Sequence, residues 1–572
     1  MNSSVAPVML YSGSAMKRAP VWLSVLLYLL YLAPSFAQAK ETRPNILLVV
    51  VDDMGYSDIA PFGGEVRTPA LDSLAKSGMR FTDFHTSVSC SPTRSMLLSG
   101  TDNHLAGMGS QGEMIFPNQV GEPGYEGHLN DRVVSIATLL QDAGYFTAMA
   151  GKWHLGEQIE DDPYNRGFQK AFTLLEGGAS HFDDEWMMYA NYTPTYRDNG
   201  VRTHVPKGFY SSEFYTDKII EYLDKREAGK PFFAYISYTA PHDPLHVPDE
   251  WLDKYKGRYD KGYEALRKER LDSLKNLGFI PEDAMSFPRL PLIPDWQDLP
   301  EEQRKIEARR MELYSAMIEN IDHHLGRLFE YLKKTGSYEN TIVIFFSDNG
   351  ANGAEMHQYP GTDKAWVDGN SDNRYENMGR PFSRIAPGPA WAQVSMTPYR
   401  LFKGFTTEGG IRTPLIISGP GVASQGSYSD AFVHVMDVSA TILDVTGVDH
   451  PGTSYQRRKV EPLRGRSMRK VLNGKTDFVY DDDTAVSWEM IGFRAVRKGD
   501  FKLVWLPIPF GNDDWQLYDL SKDPAEMADL SKMRPELRKE MIGIWKQYSK
   551  DVGVVLPPGG TIRVDMNLPP SP

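Results

Sequence analysis

The sequence predicts an α/β fold: a large, mixed but mostly parallel sheet flanked by helices, with a smaller α+β unit at the C-terminal end. Three observations point there. Five apolar runs are continuous rather than alternating, the mark of strands buried on both faces. Segments of helical spacing separate them. Ionic or amide side chains stand just beyond the ends of four of these runs, the edge at which open α/β sheets bind ligands.

Residues 1–39 come first. Lys17 and Arg18 precede "VWLSVLLYLLYL", and "APSFAQAK" then offers Ala37 and Ala39, the three-part layout of a secretory signal. The apolar run is too short to favour a bilayer-spanning helix, so the expectation is a secreted or periplasmic protein with no stable membrane span after cleavage. Export normally invites disulfides, yet Cys90 is the only cysteine of 572 residues. Stability therefore has to come from core size.

"RPNILLVVVDDMG" reads as a strand ending in Asp52 and Asp53. "VVSIATLLQDAG" is a helix closed by Gly144. The strand in "GYFTAMAGKWHLG" delivers Lys152 and His154, that in "PFFAYISYTAPHDP" delivers His242, and that in "NTIVIFFSDNGA" delivers Asp348 and Asn349. Before this last strand, residues 305–336 form a long amphipathic helix with Met311, Tyr314, Met317, Ile318, Ile321, Leu325 and Leu328 along one stripe. His323 and His324 on that helix receive no functional role. Residues 351–400 lack periodicity and are expected to wall a substrate pocket. "RTPLIISGPG" is the fifth strand. Past residue 450 short strands, turns and a helix in "MRPELRKEMIGIWKQYSKDV" take over, which divides the chain into a catalytic part over 41–450 and a smaller C-terminal domain and tail over 451–572.

The formal charge of −13, with no segment standing out as a Lys/Arg stripe, argues against nucleic acid as a partner. It leaves an anionic small molecule open, because cations can be concentrated locally.

Singly, the candidate residues are ordinary. A lone cysteine is usually a small buried hydrophobe, a carboxylate pair after a strand is often a cap, and "DNG" is a turn signal. Their order is not ordinary. C-x-P-x-R followed by "SMLLSG", then G-Y-x-T-x-x-x-G-K-W-H-L-G, "APHDPL", "SDNG" and "KGFTTEGGIRTP" resembles the formylglycine-dependent (type I) sulfatases. The similarity is nearest to bacterial arylsulfatases and runs from about residue 43 to 550. It implies an alkaline-phosphatase-like fold.

It also implies that Cys90 is oxidised to formylglycine by a separate sulfatase-maturing enzyme, with Pro92 and Arg94 in the recognition signal. A hydrated aldehyde offers two hydroxyls on one carbon: one attacks the sulfur of a sulfate monoester, and the other expels inorganic sulfate by C–O cleavage. Asp52, Asp53, Asp348 and Asn349, with residue 90, are implied as the metal set. Oxygen ligands suit Ca²⁺ and, less well, Mg²⁺. Arg94 is implied to hold the hydrate. Lys152 and Lys403 would contact sulfate oxygens, His154 would take the proton of the second hydroxyl, and His242, with Lys403, would serve the leaving oxygen. Asp243 departs from the bulky aromatic that bacterial arylsulfatases can carry there, and Thr93 stands where serine is common. Two other readings share these motifs: a phosphonate monoester or phosphodiester hydrolase on the same site, and a non-catalytic protein that binds sulfated glycans.

Overall fold

In the computed structural model, residues 43–562 are described apart from 187, 191 and 424, together with 9, 10, 12 and 13. The signal read over 1–39, those four residues aside, and the tail from 563 lie outside the described residues. Among the described residues no helix is long and apolar enough to cross a membrane.

Ten strands form the main sheet: β1 (Asn45–Val51), β2 (Gly78–Phe81), β3 (Phe146–Lys152), β4 (Lys170–Leu174), β5 (Tyr196–Asp198), β6 (Val201–Thr203), β7 (Phe232–Ser237), β8 (Thr341–Ser347), β9 (Leu415–Ser418) and β10 (Ser427–Ser429). Their spatial order is β10-β2-β9-β8-β1-β7-β3-β4-β5-β6. The central five, β8 to β4, are parallel. The sequence groups Leu415–Ser418 with the parallel strands, but β9 runs antiparallel to both β8 and β2. A continuous apolar run reports burial of both faces, which β9 has, and says nothing of direction.

All seven residues of β1 are buried, and they divide by face as the pleat requires. Leu47, Val49 and Val51 join one core with Tyr215 and Ile219 of the helix Ser211–Asp224 and with Met311, Met317 and Ile321 of the long helix Glu301–Lys334. Ile46, Leu48 and Val50 join the other, with Met96 and Leu97 of Cys90–Ser99, Leu139 of Ile136–Asp142 and Ile442 of Val435–Thr446. Each fully buried aliphatic side chain contributes about 1.5–3 kcal/mol, so the end of β1 is anchored from two sides. The stripe read along the long helix is buried throughout, and of the two histidines His324 is buried and His323 exposed.

A four-stranded antiparallel sheet follows: β11 (Ala485–Met490), β12 (Phe493–Lys498), β13 (Phe501–Trp505) and β14 (Trp515–Asp519). One face packs Val496, Leu503 and Leu517 on Met541 and Trp545 of the helix Pro535–Val552. Trp488, Ala495 and Val504 on the other face join the core of the large sheet. The segment read as tail is docked as far as it is described: Ile562 N donates to Ile491 O at 3.1 Å, and Arg494 Nη2 to Gly560 O at 2.7 Å. Residues 351–400 are less irregular than their sequence, containing helices Lys364–Asn370 and Gly388–Ser395. Helices of two turns are too short to print a period.

Candidate active site

The site begins where β1 and β8 end. Asp348 N donates to Val51 O at 3.1 Å and Asp52 N to Ala240 O at 3.2 Å, so the ladder continues past the strands and sets three chain segments side by side. Asp52, Asp53, Asp348 and Asn349 are all buried. Asp53 adopts a left-handed φ of 66°, which costs a non-glycine residue on the order of 1 kcal/mol or more. The Tyr314 hydroxyl lies against this turn, 2.7 Å from Asp58 Oδ2 and 3.0 Å from Asp53 O, and accepts from Gly55 N at 3.2 Å. Gly55 follows because a Cβ would lie 2.5 Å from the Ser395 carbonyl oxygen.

Cys90 opens the helix Cys90–Ser99, and the Ser89 side chain makes no capping bond, so the first N–H groups are not consumed by the residue before them. Cys90 Sγ lies 3.3 Å from Asp52 Oδ1, 3.9 Å from Asp53 Oδ1 and 3.3 Å from Lys403 Nζ. Thr93 keeps the hydroxyl that a serine would supply: its Oγ1 accepts from Ser87 N at 2.9 Å. Arg94, one turn on, is fully buried. Its Nε and Nη2 donate to Asp348 Oδ2 at 2.9 and 2.7 Å, and Nη1 donates to the Lys152 carbonyl at 3.2 Å and to Ser237 Oγ. Arg94 is thus engaged with Asp348 first, and Ser237, at the end of β7, is a partner the sequence did not reveal.

The remaining cations pair with the same carboxylates. Lys152 Nζ donates to Asp52 Oδ2 at 2.6 Å, and Lys403 Nζ lies 2.8 Å from Asp53 Oδ1. His242 Nε2 is 3.2 Å from Asp53 Oδ2, while its Nδ1 is 2.6 Å from Asp243 Oδ1. Asp243 in turn accepts from Tyr359 OH at 2.7 Å and from Asn352 Nδ2 at 3.4 Å. The segment expected to wall a pocket therefore reaches the site through Tyr359 and Asn352. His154 stands apart from this cluster. Its Nε2 faces Glu113 Oε1 at 3.2 Å, and Nδ1 is buried without a hydrogen-bond partner among the described residues. Glu113 was invisible in the sequence, sitting in a glycine-rich stretch with no period or motif.

Electrostatics follow from this pairing. Burial works against ionisation of Asp52, but Lys152, His242, Arg94 and Lys403 together hold its carboxyl well below the usual range. Burial and the Asp52 charge raise Asp348, with Arg94 and Lys152 opposing. Burial opposes the charge on Lys152 and Lys403 too, yet Asp52 and Asp53 raise them. Burial and the neighbouring Asp348 and Asp52 push the Cys90 thiol far up.

The donors fit a hard dication. One ligand atom each from Asp52, Asp53, Cys90 and Asp348 lie within 4.8 Å of one another, a spacing that suits oxygen ligands at about 2.3–2.6 Å from a shared Ca²⁺. Asn349 supplies the most direct sign. Its Nδ2 donates to Asp53 Oδ1 at 2.6 Å, while its Oδ1 is buried with no partner among the described residues. Buried acceptors are rarely left so.

The geometry agrees with what the chain is similar to. Residues 44–448 match the family model described as Sulfatase, and residues 399–548 that described as N-sulphoglucosamine sulphohydrolase, C-terminal. An uncharacterized sulfatase of Schizosaccharomyces pombe is 43% identical over 551 residues, spanning 93% of this chain and 98% of that protein. An arylsulfatase of Klebsiella aerogenes is 42% identical over 440 residues, 76% of this chain and 94% of that one. The solved structure of Ps i-CgsB in complex with k-i-k-neocarrahexaose has 23% identity and a TM-score of 0.63, covering 89% of this chain and 93% of that one. Its fold, of the alkaline-phosphatase-like kind, is the fold described above. With the family model spanning most of the chain and two relatives above 40% identity, the chain belongs to the sulfatase family and is a sulfatase, an enzyme that hydrolyses sulfate esters.

Proposed function

We propose that the protein is an arylsulfatase-type hydrolase that cleaves sulfate monoesters to an alcohol or phenol and inorganic sulfate, with Cys90 converted to formylglycine and with Ca²⁺ held by Asp52, Asp53, Asp348, Asn349 and residue 90. The observation that carries this reading is the cluster of buried carboxylates meeting a helix N-terminus at Cys90. Three carboxylates are balanced there by three cations, Arg94, Lys152 and Lys403. When bound, Ca²⁺ adds the positive charge that an anionic ester and an ionised hydroxyl on residue 90 require. That hydroxyl belongs to a geminal diol, whose partner hydroxyl supplies the route by which sulfate leaves.

The chain's own residues do the rest. Lys403, 3.3 Å from Cys90 Sγ, and Lys152, paired with the Asp52 that Sγ also approaches, flank the place where the hydroxyl oxygen of the modified residue would stand and can stabilise charge on a sulfate group bound beside it. Arg94 keeps Asp348 ionised and fixed for the metal. His242, held by Asp243 through Nδ1, presents Nε2 for the leaving oxygen. Asp243 is itself held by Tyr359, which supports a pocket shaped by this carboxylate rather than by a bulky aromatic. Maturation needs a partner enzyme acting on an accessible Cys90 segment, which fits conversion before or during export from a signal over residues 1–39.

Hydrolysis of p-nitrophenyl sulfate, measured beside a p-nitrophenyl phosphodiester and a phosphonate monoester, tests the assignment. A higher kcat/KM for the sulfate is expected. Faster turnover of either phosphorus ester would overturn it.

A further inference from the structure

We propose that Glu113 is the positioning residue for His154: its carboxylate fixes the ring as the Nε2–H tautomer and leaves the buried Nδ1 as a base. The use of that base in sulfate release rests on the function proposed above; the tautomer does not.

His154 follows β3, two residues beyond Lys152, and its backbone is fixed by a hydrogen bond from its N–H to Leu175 O at 3.0 Å. It has a left-handed φ of 56° and is only 7% exposed. Glu113 lies in a short 3₁₀ turn, Gly112–Met114, from a separate part of the chain. An ionised carboxylate only accepts, so the 3.2 Å contact between Glu113 Oε1 and His154 Nε2 places the proton of a neutral ring on Nε2. Tyr189 OH donates to the same Oε1 at 2.9 Å, which holds the carboxylate in place. Gly177 closes the other side. A Cβ there would lie 2.8 Å from His154 Cε1, 3.0 Å from Nε2 and 3.0 Å from Tyr189 OH, so only glycine lets the ring sit against this backbone.

With Nε2 so engaged, the lone pair of Nδ1 is the free group, and it is buried with no partner among the described residues. A structural histidine would be expected to satisfy both nitrogens. Burial lowers the ring's proton affinity, Lys152 and Arg94 lower it further, and Glu113 opposes them. The balance favours the neutral ring. Should Nδ1 take up a proton in the release step proposed above, the imidazolium formed would have Glu113 as its counter-ion, and the electron pair of the broken O–H bond would stay on the donor oxygen. A carboxylate behind a histidine base is a general device for orienting the ring and stabilising its charged form.

The test uses the full chain labelled with ¹⁵N-histidine, the His154 ring being identified by its loss in His154→Gln. Wild type should show Nε2 protonated and Nδ1 bare, and Glu113→Gln should mix or reverse the two. A protonated Nδ1 in wild type overturns the proposal without reference to any variant. In matured, calcium-loaded enzyme, Glu113→Gln should lose on the order of 10- to 100-fold in kcat with KM within about twofold. Its acid limb should move to lower pH, because the charge favouring the imidazolium is gone. Tyr189→Phe, which removes one donor to Glu113 Oε1, should fall between wild type and Glu113→Gln in kcat. Unchanged kcat and limb in Glu113→Gln would overturn the positioning role, whereas a wild type with the expected tautomer but no sulfate-ester turnover would overturn the functional reading alone.

Discussion

Cys90 Sγ lies 3.3 Å from Asp52 Oδ1, a thiol facing a buried carboxylate. Burial, Asp348 and Asp52 together push that thiol far above its ordinary pKa, against Lys152 and Lys403. Enzymes that use a cysteine nucleophile do the opposite and lower it. Among these carboxylates, with no cation bound, the encoded side chain is held as a thiol rather than a thiolate, which accords with the proposal that its converted form is the nucleophile. Cys90→Ala should lower kcat by more than about 1000-fold while changing unfolding free energy by about 1 kcal/mol. Denaturant unfolding beside turnover checks both.

Arg94 makes a second expectation. Its guanidinium is fully buried and holds Asp348 through two donors. Arg94→Ala leaves Asp348 as an uncompensated buried carboxylate and should cost about 3–5 kcal/mol. Arg94→Lys restores charge but not the fork, so it should recover part of the stability and little of the activity. Equal unfolding midpoints for wild type and Arg94→Ala would contradict this.

Much of this was legible beforehand, and the reasons are physical. Chain segments that end strands declare themselves by continuous apolar runs, so the sequence alone puts Asp52, Lys152, His242 and Asp348 at one edge. Cys90, Arg94 and Lys403 were placed by a resemblance in motif order. What stayed hidden depends on long-range packing. Tyr314 looked like one more core residue of the long helix, and its hydroxyl on Asp53 is visible only in three dimensions. Ser237 closed an apolar strand without a motif, yet it bonds Arg94. Glu113 and Tyr359 sit in aperiodic stretches, where side-chain direction is set by the fold. The direction of β9 was equally unreadable, because burial is the same for either sense.

Metal removal is the third expectation. Chelation should abolish sulfate-ester turnover, and Ca²⁺ should restore it better than Mg²⁺. Ca²⁺ at about 100 times its Kd should raise the unfolding free energy by about 2.7 kcal/mol. Asn349→Ala removes Oδ1, which has no partner among the described residues, and should weaken calcium about tenfold or more. Titration calorimetry of the chelated protein measures this, and unaltered affinity would exclude Asn349 as a ligand.

A fourth expectation concerns pH and lies away from the site. His104 is buried between Asp102, 3.1 Å from Nδ1, and Glu489, 3.0 Å from Nε2, joining the large-sheet region to β11. Burial lowers its pKa, but hydrogen bonds to both carboxylates outweigh that and raise it to about 9. The pair's contribution is thus fully present below the unfolded value of about 6.5 and is lost as pH rises through about 9. It amounts to on the order of 3 kcal/mol. His104→Gln should flatten the decline in stability over that window, followed by urea unfolding at fixed ionic strength. An identical slope in the variant would contradict the assignment.

The mass of the tryptic peptide containing residue 90, taken from protein that turns over sulfate esters, tests the central claim most directly. The account expects the mass of formylglycine or its hydrate, with its abundance tracking specific activity across preparations. An unmodified thiol in fully active protein would contradict it.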